Sequence, residues 1–549
     1  MKKFLSAFLC IVMLFTCAYP AFAAVDIPDT TLYSMPIIRL QGDSDPIYDS
    51  EDNLVFSTTS LGAMFTGAGD SDSSNITEAA LNIVKPFILE GILTNKWDNY
   101  YDAIYKEMSD IFEKAQLDDD GNPKYGTNVS KSRLEENITR SNSDAGAGDG
   151  KYSRWYYRFY YDWRLDPLTS ADSLYEYIEN VKRATGFDKV CVQCQCLGIN
   201  ILLAYLTKYG YDSIYGVGID GSVAMGTEIL GESISGDFSV DSYAIRRFIE
   251  DCYKYDIIDE LSPTIDAILD YAIDCGVIST VTDTVKYTIY NRIVEGVTSA
   301  LALSTFFSWP GYWAAIGADK YDAAINYVFG AEGSEKRVKY AGLISKLDDY
   351  HNNVGVNVED LLLALGEKGI NVVIISKYGS NLAPICKSSD QISDQFATVV
   401  RSSFGATVAK DIFSTLDESY IAAQTKKGLE KYISPDKQID ASTCLYPDST
   451  FFLKNSRHSH WSNSEYNLMA LFMTADHQMT VDDVNVSQFM VIDPETDIIE
   501  KMNEENCHTE SWYEADNMGN PNTGFFTKIS VFFKSLIAFF KEIWNLITK

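Results

Sequence analysis

Apolar residues in this chain follow two rhythms. Short runs of β-prone residues recur at MPIIRLQG (35–42), WYYRFYYDWR (155–164), DKVCVQC (188–194), SIYGVGIDG (213–221), INVVIISKYG (370–379) and STFFLKN (449–455). Between them, apolar positions return every three or four residues, as in SLYEYIENVKRATG (173–186) and VEDLLLALGEKG (358–369). The first rhythm predicts strands and the second predicts helices packed on one face. Their alternation predicts an α/β fold, with a mainly parallel sheet flanked by helices on both sides.

Two kinds of segment break the alternation. TGAGDSDSSN (66–75) and SNSDAGAGDG (141–150) are Gly/Ser/Asp loops. From 222 to 345 there is no strong strand pattern but several helical ones, including AIRRFIEDCYKYDIIDEL (244–261). This stretch reads as a helical insertion, a lid, dividing a core of 24–221 and 346–520. The acidic DDDGN (118–122) lacks the ligand spacing of a calcium loop and reads as a turn.

The ends of the chain differ from its body. MKKFLSAFLCIVMLFTCAYPAFAA opens with two lysines, an apolar run and a small-residue Ala21-Phe22-Ala23 boundary. Residues 1–23 therefore read as a secretory signal peptide, and the rest as an exported protein. Phe15 and Thr16 before Cys17 argue against a lipoprotein leader. At the other end, 524–549 spaces its polar positions about seven apart and leaves a wide face rich in phenylalanine, with Trp544. Charges interrupt it too often for a membrane span. It suits a helix lying on a membrane surface or docked on a partner, and packing back on its own domain is the plain alternative.

A formal net charge of −32 disfavours binding to a phosphate backbone, so nucleic acid is not an expected partner. Of ten cysteines, Cys10 and Cys17 lie in the leader, and the others are too sparse for a disulfide framework. Cys252 with Cys275, and two of Cys386, Cys444 and Cys507, are candidates to pair.

The densest sulfur is in VCVQCQCLGIN (190–200). Cys191 and Cys194 are three apart on a strand, which puts them on opposite faces and argues against a shared metal ion. A redox pair belongs at a helix start rather than in a strand. The local order is strand, tight turn, then the helix INILLAYLTKYG, which Gly210 closes. That is the setting of a nucleophile elbow, in which small residues flank the nucleophile two positions away on each side. Cys194 and Gly198 take those positions, and Cys196 takes the nucleophile's. The dipole of the following helix favours a thiolate there, and a protonated histidine would lower the thiol pKa further. The Leu197 N–H becomes a candidate oxyanion donor. Cys191 and Cys194 read as small buried hydrophobes. The plain alternative makes Cys196 one more core cysteine.

Four segments in this order resemble the lecithin–cholesterol acyltransferase-like branch of the α/β-hydrolases, with its bacterial lipase and esterase relatives. PIIRLQGDSDPIYD (36–49) resembles the opening strand and oxyanion loop, and FYYDWRLDP (159–167) a Tyr-Asp-Trp-Arg strand end. VQCQCLGIN resembles the elbow, with Cys for Ser, Gln195 for His and Ile199 for the second Gly. SSDQISDQFATVVRSSFGAT (388–407) resembles the acidic loop, with Gln391 where the family has Gly. The resemblance implies an α/β-hydrolase fold and a Cys-His-Asp triad in which Cys196 is the nucleophile. It matches Asp390 to the acid, with Asp394 as competitor. FFLKNSRHSHW places His458 and His460 after a late strand, and the resemblance favours His458, three residues before Trp461. It gives Asp43 as the other oxyanion donor, and Asp162 and Arg164 as bracing residues. It calls for no cofactor and no metal.

The expectation is an exported lipase- or esterase-like enzyme that acts on lipid or other acyl esters through an acyl-thioester. Other α/β-hydrolases with Cys at the elbow, among them dienelactone hydrolases and polyhydroxyalkanoate synthases, keep a Cys-dependent acyltransferase open. A non-catalytic binding module on a degenerate scaffold is the third reading. Deleting 524–549 is expected to lower binding to anionic vesicles while leaving hydrolysis of a soluble short-chain ester intact. Equal vesicle binding by the full and truncated chains would exclude a membrane role for the tail.

Overall fold

The computed structural model describes residues 35–57, 94–139, 156–237 and 306–507, apart from 44, 385, 461 and 494–497. It also describes isolated positions in 82–91, 244–251 and 292–296, and at 537 and 541. The leader (1–23), the loops 66–75 and 141–150, Cys252 and Cys275 lie outside the described residues. So do nearly all of 524–549 and the middle of the 222–345 insertion.

Eight strands form one sheet. They are β1 (Ile37–Leu40), β2 (Tyr156–Phe159), β3 (Val190–Cys196), β4 (Ile214–Ser222), β5 (Asn371–Tyr378), β6 (Thr450–Lys454), β7 (Phe489–Ile492) and β8 (Ile499–Lys501). Their spatial order is 2-1-3-4-5-6-7-8. Strands β1 to β7 pair in parallel, and only β8 runs antiparallel, on β7. The fold is therefore α/β with a mainly parallel sheet, as the two rhythms imply. All six predicted strands are present. Strand β7, a short apolar run, and β8, which has a single apolar residue, are additional to them.

The helices cover both faces. On one face lie α1 (Pro167–Thr185), α2 (Gly198–Tyr209) and, from the second half of the chain, Val358–Glu367. Helix α1 starts where the Asp166 carboxylate accepts from the Leu168 N–H, with Pro167 in the first turn, and it stops at Gly186. It buries Ala171, Leu174, Ile178 and Val181 at helical spacing. Helix α2 is buried from Gly198 to Leu206, and its sequence there is apolar apart from Tyr205 and the buried Asn200. The opposite face is covered by the helix Asn463–Thr474, whose Leu468, Met469, Phe472 and Met473 pack on Val373 and Ile375 of β5.

The described parts of the insertion are helical, with Glu228–Ile234, Pro310–Trp313, Tyr321–Phe329, Glu335–Lys339 and Ala341–Asn353. Asp118 to Asn122 form an acidic turn, in which the Asp118 carboxylate accepts from the N–H groups of Asp120 and Asn122. Cys386, Cys444 and Cys507 are separate buried thiols, so the expected pairing among them is corrected. Among the described residues no helix is long and apolar enough to cross a membrane.

The strand order reverses direction once, between β1 and β3, and such a crevice at the carboxyl ends of parallel strands is where open α/β sheets place ligands. Here it is nearly closed by backbone. A Cβ on Gly198 would lie 2.5 Å from the Leu40 carbonyl oxygen. Because that neighbour is backbone, Gly198→Ala is expected to lower unfolding stability by about 2–3 kcal/mol, read as a lower urea midpoint. An unchanged midpoint would show that α2 does not start against β1.

Candidate active site

The site begins with a strained residue. Cys196 ends β3 with φ of +49°, a left-handed conformation that costs a non-glycine residue about 1–3 kcal/mol. The strain turns its side chain out of the sheet at the start of α2. Gly42, just after β1, closes the other side, since a Cβ there would lie 2.8 Å from Cys196 Cβ and 3.2 Å from its sulfur. The Leu197 N–H lies near enough to favour the charged form of the Cys196 sulfur. Cys191 packs among the core residues on one face of the sheet, and Cys194 and Cys196 among those on the other. Cys191 and Cys194 therefore cannot converge on one ion, and burial pushes both thiols well above their ordinary range.

His458 lies four residues beyond β6. Its Nδ1 is 2.7 Å from Asp394 Oδ2, and its backbone N–H donates to the Asp394 carbonyl at 2.7 Å. Its Nε2 faces the Cys196 sulfur and acts on the ionisation of the thiol without closing a well-aligned hydrogen bond. Such looseness is ordinary for a site without substrate. The Phe396 ring stacks on the imidazole, with ring centres 4.8 Å apart. Asp394 is fully buried, and its other oxygen accepts from the N–H groups of Phe396 and Ala397. Three donors thus fix the carboxylate in place.

Two expectations about this triad change. The carboxylate that meets His458 is Asp394 and not Asp390, which lies part-exposed earlier in the loop and whose backbone carbonyl accepts from the Ile412 N–H. The sequence signal for Asp394 was turn chemistry. An Asp whose carboxylate accepts from the N–H groups two and three positions on makes an Asx turn, and an aromatic at the first of those positions can cover the histidine. The thiol also behaves differently. His458 and the Leu197 N–H pull the Cys196 pKa down, but burial, added to by the charge of Asp43, outweighs them and pushes it up. Asp394 and Cys196 raise the His458 imidazole well above its usual value against the opposing effect of burial. His460 does not reach the thiol. Its Nδ1 lies 3.3 Å from Glu465 Oε2, and its carbonyl accepts from Lys377 Nζ at 2.6 Å.

Asp162 and Arg164 lie on the segment after β2. Arg164 and Asp162 form a fully buried pair at 2.6 Å, and Arg164 also donates to the Ala115 carbonyl and the Thr127 hydroxyl. Between them, Trp163 Nε1 holds the Asp45 carbonyl at 2.9 Å. Tyr161 donates to the Gln41 carbonyl and so fixes the turn that carries Gly42 and Asp43.

Sequence reasoning missed four groups. Lys377, Asp220 and Glu465 form a buried cluster behind the histidine loop, with Lys377 Nζ 2.8 Å from Asp220 and 3.2 Å from Glu465. Glu228, at the start of the insertion, accepts from Thr398 N–H and Oγ1 and from Arg401, and this ties the insertion to the Asp394 loop. Tyr312 donates to Asp43 Oδ2 at 2.8 Å. The Asp43 side chain itself, considered above only for its backbone, is the fourth.

No family model and no curated protein matches the chain. Among solved structures it matches a chain of the Tle4-Tli4 complex at 11% identity and a TM-score of 0.29, over 80% of this chain and 97% of that one. It also matches Kex1(Δ)p, a prohormone-processing carboxypeptidase from Saccharomyces cerevisiae, at 14% identity and a TM-score of 0.15, over 43% of this chain and 53% of that one. Likenesses this weak carry no functional argument, so the chemistry rests on the residues.

Removing Lys377 leaves two buried carboxylates facing each other. Lys377→Met is expected to cost about 3–5 kcal/mol, and adding Asp220→Asn to it is expected to recover part of the loss. Chemical unfolding of the single and double variants checks this, and equal midpoints for wild type and Lys377→Met would refute it.

Proposed function

We propose that this protein is an exported enzyme of the α/β-hydrolase fold that cleaves acyl esters of the lipase and esterase kind through Cys196, His458 and Asp394. One observation carries the reading. A cysteine held at positive φ at the sheet's switch point faces a histidine whose other ring nitrogen bonds a buried, fully hydrogen-bonded aspartate. That arrangement supplies a nucleophile, a base and a group that orients the base. A core cysteine needs none of it.

The chemistry follows from the ionisation of the groups. Burial keeps Cys196 a thiol, so attack and deprotonation go together. His458 takes the proton as the sulfur adds to the ester carbonyl. The Leu197 N–H meets the oxygen that becomes negative, whereas the Asp43 N–H, expected as the second donor, acts on its own carboxyl group. The tetrahedral adduct collapses, the C–O bond breaks, and His458 returns the proton to the departing alkoxide. An acyl-thioester remains on Cys196. Water, giving up its proton to His458, attacks the thioester, and the carboxylic acid leaves as the thiol is restored. An alcohol in place of water gives acyl transfer by the same steps.

Asp394→Asn is expected to lower kcat/KM for a soluble ester by about 10³–10⁴-fold, as loss of the orienting acid does in such triads. The sign of the pH effect follows from the charges. The carboxylate raises the histidine, and the base must be unprotonated, so the acid limb of the pH–rate profile should move to lower pH in the variant. Cys196→Ala should abolish turnover. Full turnover by Cys196→Ala across an acyl-ester panel would end the proposal. Product analysis with and without an alcohol acceptor separates hydrolysis from transfer.

A further inference from the structure

Asp43 is a carboxylate beside a nucleophile that works by forming negative charge. It follows Gly42, which packs on the Cys196 sulfur, and its charge acts on Cys196 and His458. Its Oδ2 accepts from Tyr312, and its own backbone N–H also bonds the carboxyl group. It is part-exposed. Among the described residues it has no Lys or Arg partner. The contrast is two residues away, where the buried Asp45 pairs with Arg133 and Arg158. Among the described residues, this turn thus gives its structural carboxylate two arginines, while the carboxylate at the thiol has the charge of His458 acting on it and no Lys or Arg.

We propose that Asp43 is a specificity-determining residue that selects acyl esters carrying an ammonium group close to the scissile carbonyl. This rests on the ester-cleaving reading and names its substrate class. A bound ammonium would supply a countercharge that the histidine, engaged with Asp394, provides only in part. It would also cancel the repulsion between Asp43 and the negative charge developing on sulfur and oxygen, so it would assist the reaction as well as binding. A chain of net charge −32 draws cations toward the site from a distance.

Burial raises Asp43 to about 6, against the opposing effects of Tyr312, its own N–H and His458. It is therefore ionised at neutral pH and loses its charge as pH falls through about 6. The other titratable groups that act on this corner are Tyr312, Tyr161, Cys196 and His458. The tyrosines and the thiol are pushed up by burial and stay neutral through that window, and Asp43→Asn, which keeps His458, separates the carboxylate's part of any pH change from the histidine's.

The test reads the charge at the thiol without needing catalysis. Cys196 is labelled with a trimethylammonium and with a sulfonate methanethiosulfonate, each rate being divided by that with a simple free thiol and followed by peptide mass mapping. Each labelling forms a mixed disulfide and releases methanesulfinate. Wild type should favour the cationic reagent. Asp43→Asn should reduce the preference about tenfold, the effect of one charge at close range in a part-exposed site. Asp43→Glu should keep the preference, and Asp360→Asn, a distant exposed change, should not alter it. In wild type the preference should fall between pH 7 and 5. In parallel, a choline ester and its uncharged carbon isostere are offered as substrates, and Asp43→Asn should lose the preference for the choline ester. An unchanged labelling ratio in Asp43→Asn overturns the inference, whatever the esters do. An Asp43-dependent ratio with neither ester cleaved supports cation selection at the site and counts against the ester-cleaving reading alone. Labelling of Cys191 and Cys194 alongside Cys196 would reveal a variant that has unfolded, and Asp43→Glu then decides.

Discussion

The site depends on how closely two pieces of backbone approach at the reversal of strand order. Gly198 starts α2 against the Leu40 carbonyl, and Gly42 lies against Cys196. Neither position has room for a Cβ without movement. The thiol is therefore placed by main chain, which is stiffer than any side-chain packing, and the left-handed turn at Cys196 persists because both of its neighbours are held. The rest is built around this fixed point. Tyr161 and Trp163 hold the turn after β1 from one side, and the buried Arg164–Asp162 pair holds the segment that carries them.

Electrostatics at the site is a contest between burial and partners. A helix N-terminus and a histidine favour a thiolate, yet burial wins at Cys196 because a sulfur in this crevice gives up its hydration for only two compensating groups. At His458 the outcome is reversed. Burial works against its charge, but a fully hydrogen-bonded carboxylate at 2.7 Å is stronger. A thiol beside an imidazole raised by its aspartate is a resting state suited to concerted proton transfer and attack.

Much of this was legible in the chain. The six runs mark β1 to β6. Of these β3, β4, β5 and β6 are buried almost throughout and read as continuous runs, since a strand buried on both faces needs no alternation, while the edge strand β2 is legible from its aromatic residues. The edge pair was not legible. Strand β8 carries only Ile499 inward and exposes Glu500 and Lys501, which leaves no pattern to detect. Cys196 could be found because strand, turn and helix are each visible locally. The acid could not be settled the same way, because Asp390 and Asp394 share a loop without periodicity, and what separates them is the turn in which the Asp394 carboxylate accepts from the Phe396 and Ala397 N–H groups. The cluster of Lys377, Asp220 and Glu465 joins three distant segments and has no local signature. Glu465 even reads as half of a capping box with Ser462, while its carboxylate serves Lys377 and His460.

The insertion is pinned to the loops around the thiol and the histidine. At its start, Glu228 holds the Thr398 amide and Arg401. Further along, the buried Asp251 accepts from the Asn381 N–H and side-chain amide, just after β5. Later still, the Gly311 N–H donates to the Arg164 carbonyl and Tyr312 meets Asp43. The ties join the insertion to the segments that follow β1, β2 and β5 at their carboxyl ends. A strain introduced at any one of them is therefore shared among those segments, and the insertion acts as a splint that keeps their spacing.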